Sequence, residues 1–529
     1  MPYSNDLLMS VARLIARMGT VDVADANAYA GSVLRAWSSP APSAGEAFTA
    51  GAAIIRDGAA AGYLTITRKG VKAAAKFKAG ISRTSVAPGD VRPAVSMRDA
   101  EVLADADILN DAMWLMGEMK FTTHVGTAHV LRQLKAAGAW VPSKEEDRSV
   151  NWHCRSNGDW YLSPFADWRG RVYLQSGSFG SPMTDHINRG CTDLADAKVA
   201  SLDDQAYVAQ IISSEYDLTL SIAKDFLSSP VEWCATHGVP SKLGCFTRAA
   251  WALVEMSEGK PCGFIVQQDA SCSGFQIMAL LTGDESLAEQ VNLLSEEKQH
   301  DLYTFIATEA GIFEMLAGHG ITNTKVARSC AKAVVMLVGY GAGIDTVGEG
   351  ILGKGDDMQY DSEGNPIAAT FGGVVLTADQ CTELAQAGVN TLYQLFPSLE
   401  GMKKAAQQWA KSNGSTSWVS PSGLQCVKRD ITVDEESGEV YADAGAAGAL
   451  PNLVHSIDGA IAAKAIATFG APLVTIHDSF GSSVCDARRV RRCVAEAYIW
   501  AVDAFDSPFE LPSVGQIDNA LVLDSALVA

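Results

Sequence analysis

Two aspartates each close a short apolar run. Asp269 ends Ile265-Val-Gln-Gln-Asp269 and leads into Ala270-Ser-Cys-Ser-Gly274-Phe-Gln276, while Asp478 follows Leu473-Val-Thr-Ile-His477 and leads into Ser479-Phe-Gly481. A pair of strand-end carboxylates can hold two Mg²⁺ ions about 3.5–4 Å apart, one activating a hydroxyl and one stabilising a leaving pyrophosphate. Mg²⁺ takes few protein carboxylates and completes its shell with water and substrate phosphate oxygens, so two suffice. Either aspartate alone is more often a turn or cap residue. Their company gives the pair its weight.

That company begins with Arg328, Lys332, Met336 and Tyr340, spaced four apart and followed by Gly341. At 3.6 residues per turn this spacing drifts slowly along one helix face. Arg328 and Lys332 suit a triphosphate, and Lys332 can give a proton to departing pyrophosphate. Tyr340 would put an aromatic ring at the sugar and base of a nucleotide. Ala331, Val334, Val335 and Leu337 on the same helix pack in a core. Phe165-Ala-Asp167-Trp-Arg169-Gly-Arg171-Val-Tyr173 sets two arginines around a glycine among aromatics, which suits phosphate contact and stacking. Pro451-Asn-Leu-Val-His455-Ser-Ile-Asp458-Gly459 places His455 at the start of a helix, a position more often filled by a cap or core histidine.

These residues need elements to hold them. Ile265–Asp269 and Leu473–Ile476 read as strands, and residues 194–258 and 285–340 as mostly helical. Residues 100–137 read as one long amphipathic stretch. A short strand is expected at 171–174. Asp361-Ser-Glu-Gly-Asn-Pro366 reads as a turn, and Ile431–Val433 with Glu439–Tyr441 as a hairpin around Asp434–Gly438. The class is α+β, mostly helical. At 529 residues several subdomains are expected.

Composition narrows the function classes. No run reaches the ~18 apolar residues of a membrane span. Met1-Pro-Tyr-Ser-Asn-Asp lacks the basic start of a secretory signal, so a secreted protein is not expected. Eleven scattered cysteines without a C-x-x-C pair read as reduced thiols, and nine dispersed histidines offer no zinc site. A net charge of −20 argues against nucleic acid, but steering depends on local patches. Between Arg56 and Asp99 nine basic residues face three acidic ones, a solvated face or a backbone-binding surface.

Together the motifs resemble the single-subunit DNA-dependent RNA polymerases of bacteriophages and mitochondria. The match runs in order through 167–173, 269–276, 328–341, 418–423, 451–459 and 476–481, and covers roughly residues 105–529. The resemblance implies a right-hand polymerase with palm, fingers and thumb. It divides the chain into a reduced N-terminal domain (1–100), a short thumb (101–150), palm (151–295), fingers (296–450), and palm with C-terminal tail (451–529). It implies Asp269 and Asp478 as metal carboxylates, with the Ala270 carbonyl beside the metal, and two Mg²⁺ as cofactors. Lys332 would be the general acid on the triphosphate and Arg328 a phosphate contact. Tyr340 would check the ribose with His455, and Tyr303 and Gly274 would line the nucleotide site. Arg169 and Arg171 would touch template or hybrid while Asp167 braces their turn. Leu523–Ala529 resembles the family's tail, which folds back near the active site.

RNA rather than DNA synthesis follows from Gly274. Related family A DNA polymerases carry a glutamate five residues after the first metal aspartate, which blocks a 2′-hydroxyl, and read His-Asp-Glu where this chain reads His477-Asp478-Ser479. The implied partners are a DNA template, RNA product and NTPs, without a membrane. Only 166 residues precede Asp167, and the promoter-reading segment before Pro451 has only Lys428 and Arg429 as basic residues. Promoter use is therefore expected to need a recognition protein, a single-stranded-DNA-binding partner, or single-stranded DNA. The expected compartment is the cytoplasm of an infected bacterium. A primase-like enzyme and a catalytically silent nucleic-acid-binding subunit are the alternatives.

Overall fold

The computed structural model describes residues 107–528, except 157, 176–184, 296, 298–299, 414–415, 429, 434–439 and 444–445, together with parts of 1–73. Residues 74–106 lie outside, and with them most of the basic stretch. Arg56 is exposed on the helix Ala44–Ala60. No helix among the described residues is long and apolar enough to cross a membrane. The class is α+β and mostly helical, with small sheets of two or three strands.

The chain forms two compact units: Met1–Gln268 with Ala462–Val490, and Asp269–Ile461 with Arg491–Ala529. In the first unit the helix Leu243–Ser257 is buried along most of its length. Its Leu243, Phe246, Ala249 and Leu253 join Leu131, Ile187, Ile212, Phe226 and Val266 in one apolar core. Gly244 meets Gly190 of the helix His186–Cys191 so closely that a Cβ on Gly190 would lie 2.1 Å from the Gly244 carbonyl.

Through this core runs a charged cluster. Arg248, 1% exposed, donates from Nε and Nη2 to Asp193 at 2.6 and 2.9 Å. Its Nη2 also lies 3.1 Å from Glu255 Oε2, and His124 Nε2 lies 3.1 Å from Glu255 Oε1. An unpaired buried guanidinium would cost several kcal/mol, so burial of Arg248 demands such partners.

The stretch 100–137 is not one helix. Asp107–Gly117 and Val125–Ala136 are helical, and Phe121–Thr123 between them is a strand paired with Thr192–Leu194. Gly117 ends the first helix, and the β-branched threonines gain ladder partners. His124 then caps the second helix by accepting Thr127 N–H at 3.1 Å.

The strands Leu473–Ile476, Ser479–Ser483 and Ile265–Asp269 form one sheet in that order. The first two pair antiparallel, with Ile476 opposite Ser479, so His477 and Asp478 are the whole hairpin turn. Two-residue hairpins need positive φ at the first turn position to match strand twist, usually from glycine. Here His477 supplies it at φ +55°, a conformation costly for a side chain. The strands Ser163–Ala166 and Val172–Gln175 form a second hairpin carrying residues 167–171 at its tip.

In the second unit the helix Thr324–Gly339 buries Ala327, Cys330, Ala331, Val334, Val335 and Val338. Arg328 and Lys332 remain exposed on its other side. Tyr340 caps the helix, and Gly341 at φ +76° turns the chain away. The expected turn at 361–366 joins Asp357–Tyr360 to Pro366–Phe371, with Asp361 Oδ1 accepting from the Glu363 and Asn365 amides at 2.8 Å each. Asp430–Val433 pairs with Val440–Asp443 as the second expected hairpin, whose turn lies outside the described residues.

His455 is not at a helix start. Its helix runs Ala449–Phe469, entered from a 3₁₀ turn at Ala446–Gly448, so His455 lies in the second turn. Pro451 falls in the first turn, where its missing N–H is no loss.

Candidate active site

In the first unit, Asp478 stands at the tip of its hairpin, half-buried. The flanking residues are anchored on both sides. Ser479 Oγ donates to Gln267 Oε1 at 2.8 Å. The His477 ring meets the Tyr173 ring edge-on, with centroids 5.6 Å apart. The Tyr173 hydroxyl donates to Asp167 Oδ2 at 3.4 Å. Burial, followed by the Asp167 charge, pushes the Tyr173 phenol above its usual range.

Asp167 organises the arginine turn. Its Oδ1 accepts the Arg169 and Arg171 amides at 2.9 and 3.1 Å. Its Oδ2 accepts Arg169 Nε and Nη2 at 3.1 and 2.8 Å. The Arg169 guanidinium also lies 5.6 Å from the Trp168 ring centre. The Asp167-Trp-Arg-Gly-Arg-Val-Tyr173 motif and the Asp478 hairpin are thus joined through Tyr173 and His477.

In the second unit, Asp269 is the exposed last residue of its strand. The turn after it is held by the C-terminal segment. Ala270 bridges to Val528, and Ser271 N–H donates to the Leu527 carbonyl at 2.9 Å. The Ala270 carbonyl accepts Cys272 N–H at 3.0 Å, which engages one of its lone pairs. Cys272 takes φ +78° to start the helix Ser273–Thr282. Inside that helix Gln276 donates to the Val291 and Leu527 carbonyls at 2.9 Å each and accepts from the Tyr498 hydroxyl at 3.1 Å. Gly274 is open, since a Cβ there would meet only Val454 Cγ1, at 3.7 Å.

The Thr324–Gly339 helix brings its cations to one ring. The Arg328 guanidinium and Lys332 Nζ lie 5.1 and 5.4 Å from the Tyr303 ring centre. Arg328 is also clasped by Asp301, from Nε at 2.7 Å and Nη2 at 2.9 Å. Burial raises the Asp301 carboxyl, but hydrogen bonds from Arg328 and Thr304 outweigh it and hold the group below its usual range. Beyond the helix end, Tyr340 is 45% exposed and its ring lies 5.3 Å from that of His455. Gly341 passes so near the Ala447 carbonyl that a Cβ would lie 2.7 Å from its oxygen.

Among the second unit's expected residues, Arg328, Lys332 and Tyr303 meet at one ring, and Tyr340 meets His455. Lys428 lies in the strand Gln425–Lys428 and its side chain is outside the described set, as is the whole of Arg429. The sequence marked Asp301 only within Asp301-Leu-Tyr303, which resembles the family's link into the fingers, gave Gln267 no role, and named Tyr173 only as an aromatic of its motif. Among the described residues no three histidine, cysteine or acidic side chains cluster as a metal cage. Carboxylate oxygens such as those of the exposed Asp269 and the half-buried Asp478 are hard ligands of the kind that Mg²⁺ takes, and the polymerase family suggests a divalent-metal requirement.

Comparison with known proteins agrees with these motifs. A family model described as DNA-dependent RNA polymerase matches residues 209–502. DNA-directed RNA polymerase 2, chloroplastic/mitochondrial, of Arabidopsis thaliana is 24% identical over 306 residues, 49% of this chain and 30% of that protein. DNA-directed RNA polymerase 2B, chloroplastic/mitochondrial, of Nicotiana tabacum is 26% identical over 274 residues, 46% of this chain and 26% of that protein. DNA-directed RNA polymerase 2A of Nicotiana tabacum is 25% identical over 269 residues, 45% of this chain and 79% of that protein. The match spans less than a third of the first two relatives. The expectation of an infected bacterial cytoplasm is overturned, because the relatives named by compartment are chloroplastic or mitochondrial plant polymerases. By the match of more than half its length, the chain belongs to the single-subunit DNA-dependent RNA polymerase family, which is consistent with a right-hand polymerase fold.

Proposed function

We propose that the chain synthesises RNA from NTPs on a DNA template, transferring a nucleoside monophosphate to an RNA 3′-hydroxyl with release of pyrophosphate. The observation that carries this reading is the exposed face of the Thr324–Gly339 helix, where Arg328 and Lys332 share the Tyr303 ring. Two cations over one aromatic platform can take an anionic triphosphate at one end and leave room for a base at the other.

Asp269 and Asp478 are the carboxylates that would hold two Mg²⁺ ions, with the remaining lone pair of the Ala270 carbonyl beside them. When bound, these ions supply Lewis-acid stabilisation of the attacking and leaving oxygens. Lys332 orients the triphosphate and delivers a proton to the departing pyrophosphate. Arg328 leaves Asp301 to meet the phosphates. Tyr340, supported by His455, accepts the ribose, and Gly274 leaves space for its 2′-hydroxyl. Arg169 and Arg171 contact template or hybrid, and Lys428 and Arg429 contact nucleic acid. Residues 151–295 and 451–529 serve as palm and tail, 296–450 as fingers, 101–150 as thumb and 1–100 as an N-terminal domain. A promoter-recognition or single-stranded-DNA-binding protein assists promoter use.

Nucleotide incorporation by the purified chain on a primed RNA–DNA scaffold and on bare single-stranded DNA tests this reading. NTP-dependent extension that vanishes in Asp478→Asn supports it, and preference for dNTPs or no extension sinks it. Transcription of a linear duplex promoter by the chain alone removes the partner requirement.

A further inference from the structure

We propose that Gln267 is a positioning residue for the Asp478 carboxylate, acting through Ser479; this rests on the metal-binding role proposed above for Asp478. Gln267 lies in the strand Ile265–Asp269, two residues before Asp269. Side chains alternate along a strand, so Ile265 and Gln267 share one face. On the neighbouring strand, Ser479 and Gly481 turn to that face. Ser479 Oγ donates to Gln267 Oε1 at 2.8 Å. A Cβ on Gly481 would lie 2.3 Å from Gln267 Nε2 and 2.7 Å from Ile265 Cγ2. The Gln267 side chain therefore crosses directly over Gly481 and ends on the residue that follows Asp478.

The amide is used at one end only. Gln267 Nε2 is buried without a hydrogen-bond partner. Exchanging the amide oxygen and nitrogen would let the nitrogen donate to Ser479 Oγ and leave the oxygen without that bond. A buried unsatisfied amide costs about 1–3 kcal/mol. An apolar side chain of the same length would avoid this cost, so stability does not account for glutamine here. The preceding His477, at φ +55°, adds strain to the same two-residue turn. With Tyr173 against His477 on one side and Gln267 on Ser479 on the other, Asp478 is fixed between two anchored neighbours. Gln268 has a different task, since its side chain accepts from the Tyr207 hydroxyl at 2.9 Å and donates to the Ala487 carbonyl at 2.8 Å.

Partners that orient a metal ligand typically contribute about 10–100-fold in metal affinity or activity. Gln267→Met keeps length and volume and removes both polar ends. Its expected signature is a half-saturating Mg²⁺ concentration for nucleotide incorporation raised about tenfold, with the thermal midpoint unchanged or raised. Ser479→Ala should match it, the double variant should add nothing, and Ser479→Thr, which keeps the hydroxyl, should retain most of the wild-type Mg²⁺ dependence. Mn²⁺ binding to the purified chain, read by electron paramagnetic resonance, is the second readout and needs no turnover. It should weaken in Gln267→Met and in Asp478→Asn alike. Gln267→Met with wild-type Mg²⁺ dependence and Mn²⁺ affinity overturns the inference, as do additive effects of the two substitutions. A wild-type chain that binds Mn²⁺ with this Gln267 dependence but incorporates no nucleotide sinks the polymerase reading and leaves the positioning role standing.

Discussion

Arg328 is held by Asp301 through two parallel hydrogen bonds, Nε to Oδ2 at 2.7 Å and Nη2 to Oδ1 at 2.9 Å. The geometry is the one a guanidinium offers to a phosphate, so a triphosphate bound at Arg328 as proposed above would compete with Asp301 for the same fork. The pair is half-exposed, with side-chain exposures of 46% and 35%, so it resists the exchange by no more than about 1 kcal/mol. Asp301→Asn should therefore lower the KM for NTP by up to about fivefold and leave kcat nearly unchanged. Steady-state incorporation measures this, and an unchanged KM would place Arg328 away from the triphosphate.

Asp478→Asn removes charge and keeps shape. Metal-borne charge stabilisation is worth several kcal/mol, so incorporation should fall by about a thousandfold or more. Circular dichroism and the thermal midpoint should stay near wild type. Activity within about tenfold of wild type would favour a silent or differently organised site.

Gly274 has room, since a Cβ there would find only Val454 within 4 Å. Gly274→Glu should fold normally and reduce the preference for NTP over dNTP by about tenfold or more, the scale on which pocket shape discriminates. Competition between ribo- and deoxyribonucleotides on one scaffold reads the ratio. An unaltered ratio would move the sugar check to Tyr340 and His455.

The C-terminal segment closes the turn after Asp269. Removing residues 527–529 deletes the carbonyl that accepts both Ser271 N–H and Gln276 Nε2. It also removes the fully buried Leu527 and Val528 side chains. The loss of packing alone costs about 2–5 kcal/mol. The truncated chain should melt lower and incorporate at least about tenfold more slowly. Near-normal incorporation would mean that the Asp269 turn holds its shape unaided.

Acid stability should depend on Glu255. Burial raises its carboxyl, but the His124 hydrogen bond and the Arg248 charge outweigh this and bring it from 4.5 down to about 2. A depressed carboxyl contributes stability that is fully present above the unfolded value and lost as pH falls through the folded one. The wild-type urea midpoint should thus drop between pH 4.5 and about 2 more steeply than that of Glu255→Gln. Parallel curves would remove Glu255 from the acid response.

The local setting of the candidate site was legible in the sequence because it depends on short-range spacing. The four-residue steps from Arg328 to Tyr340 set the two cations on one helix face, and the apolar runs before Asp269 and Asp478 named their strands. The α+β class followed from the same periodicities. Residues 100–137 misled because an amphipathic pattern cannot show that Phe121–Thr123 will find a strand partner far along the chain at Thr192–Leu194. His455 was placed too early because Pro451 looked like a helix start, whereas the helix had already begun at Ala449.

What only the tertiary structure decided are relations between residues far apart in the chain. Asp301 on Arg328, Tyr173 on His477, Leu527 on Ser271 and Gln267 beneath Ser479 each join separate segments. Local propensity carries no information about them, because each depends on the packing that places one segment against another. The sequence by itself determined which side chains are candidates to hold a metal or a phosphate. The fold determined which neighbours hold those side chains still, and that depends on buried hydrogen bonds and ring contacts that exist only once the segments have met.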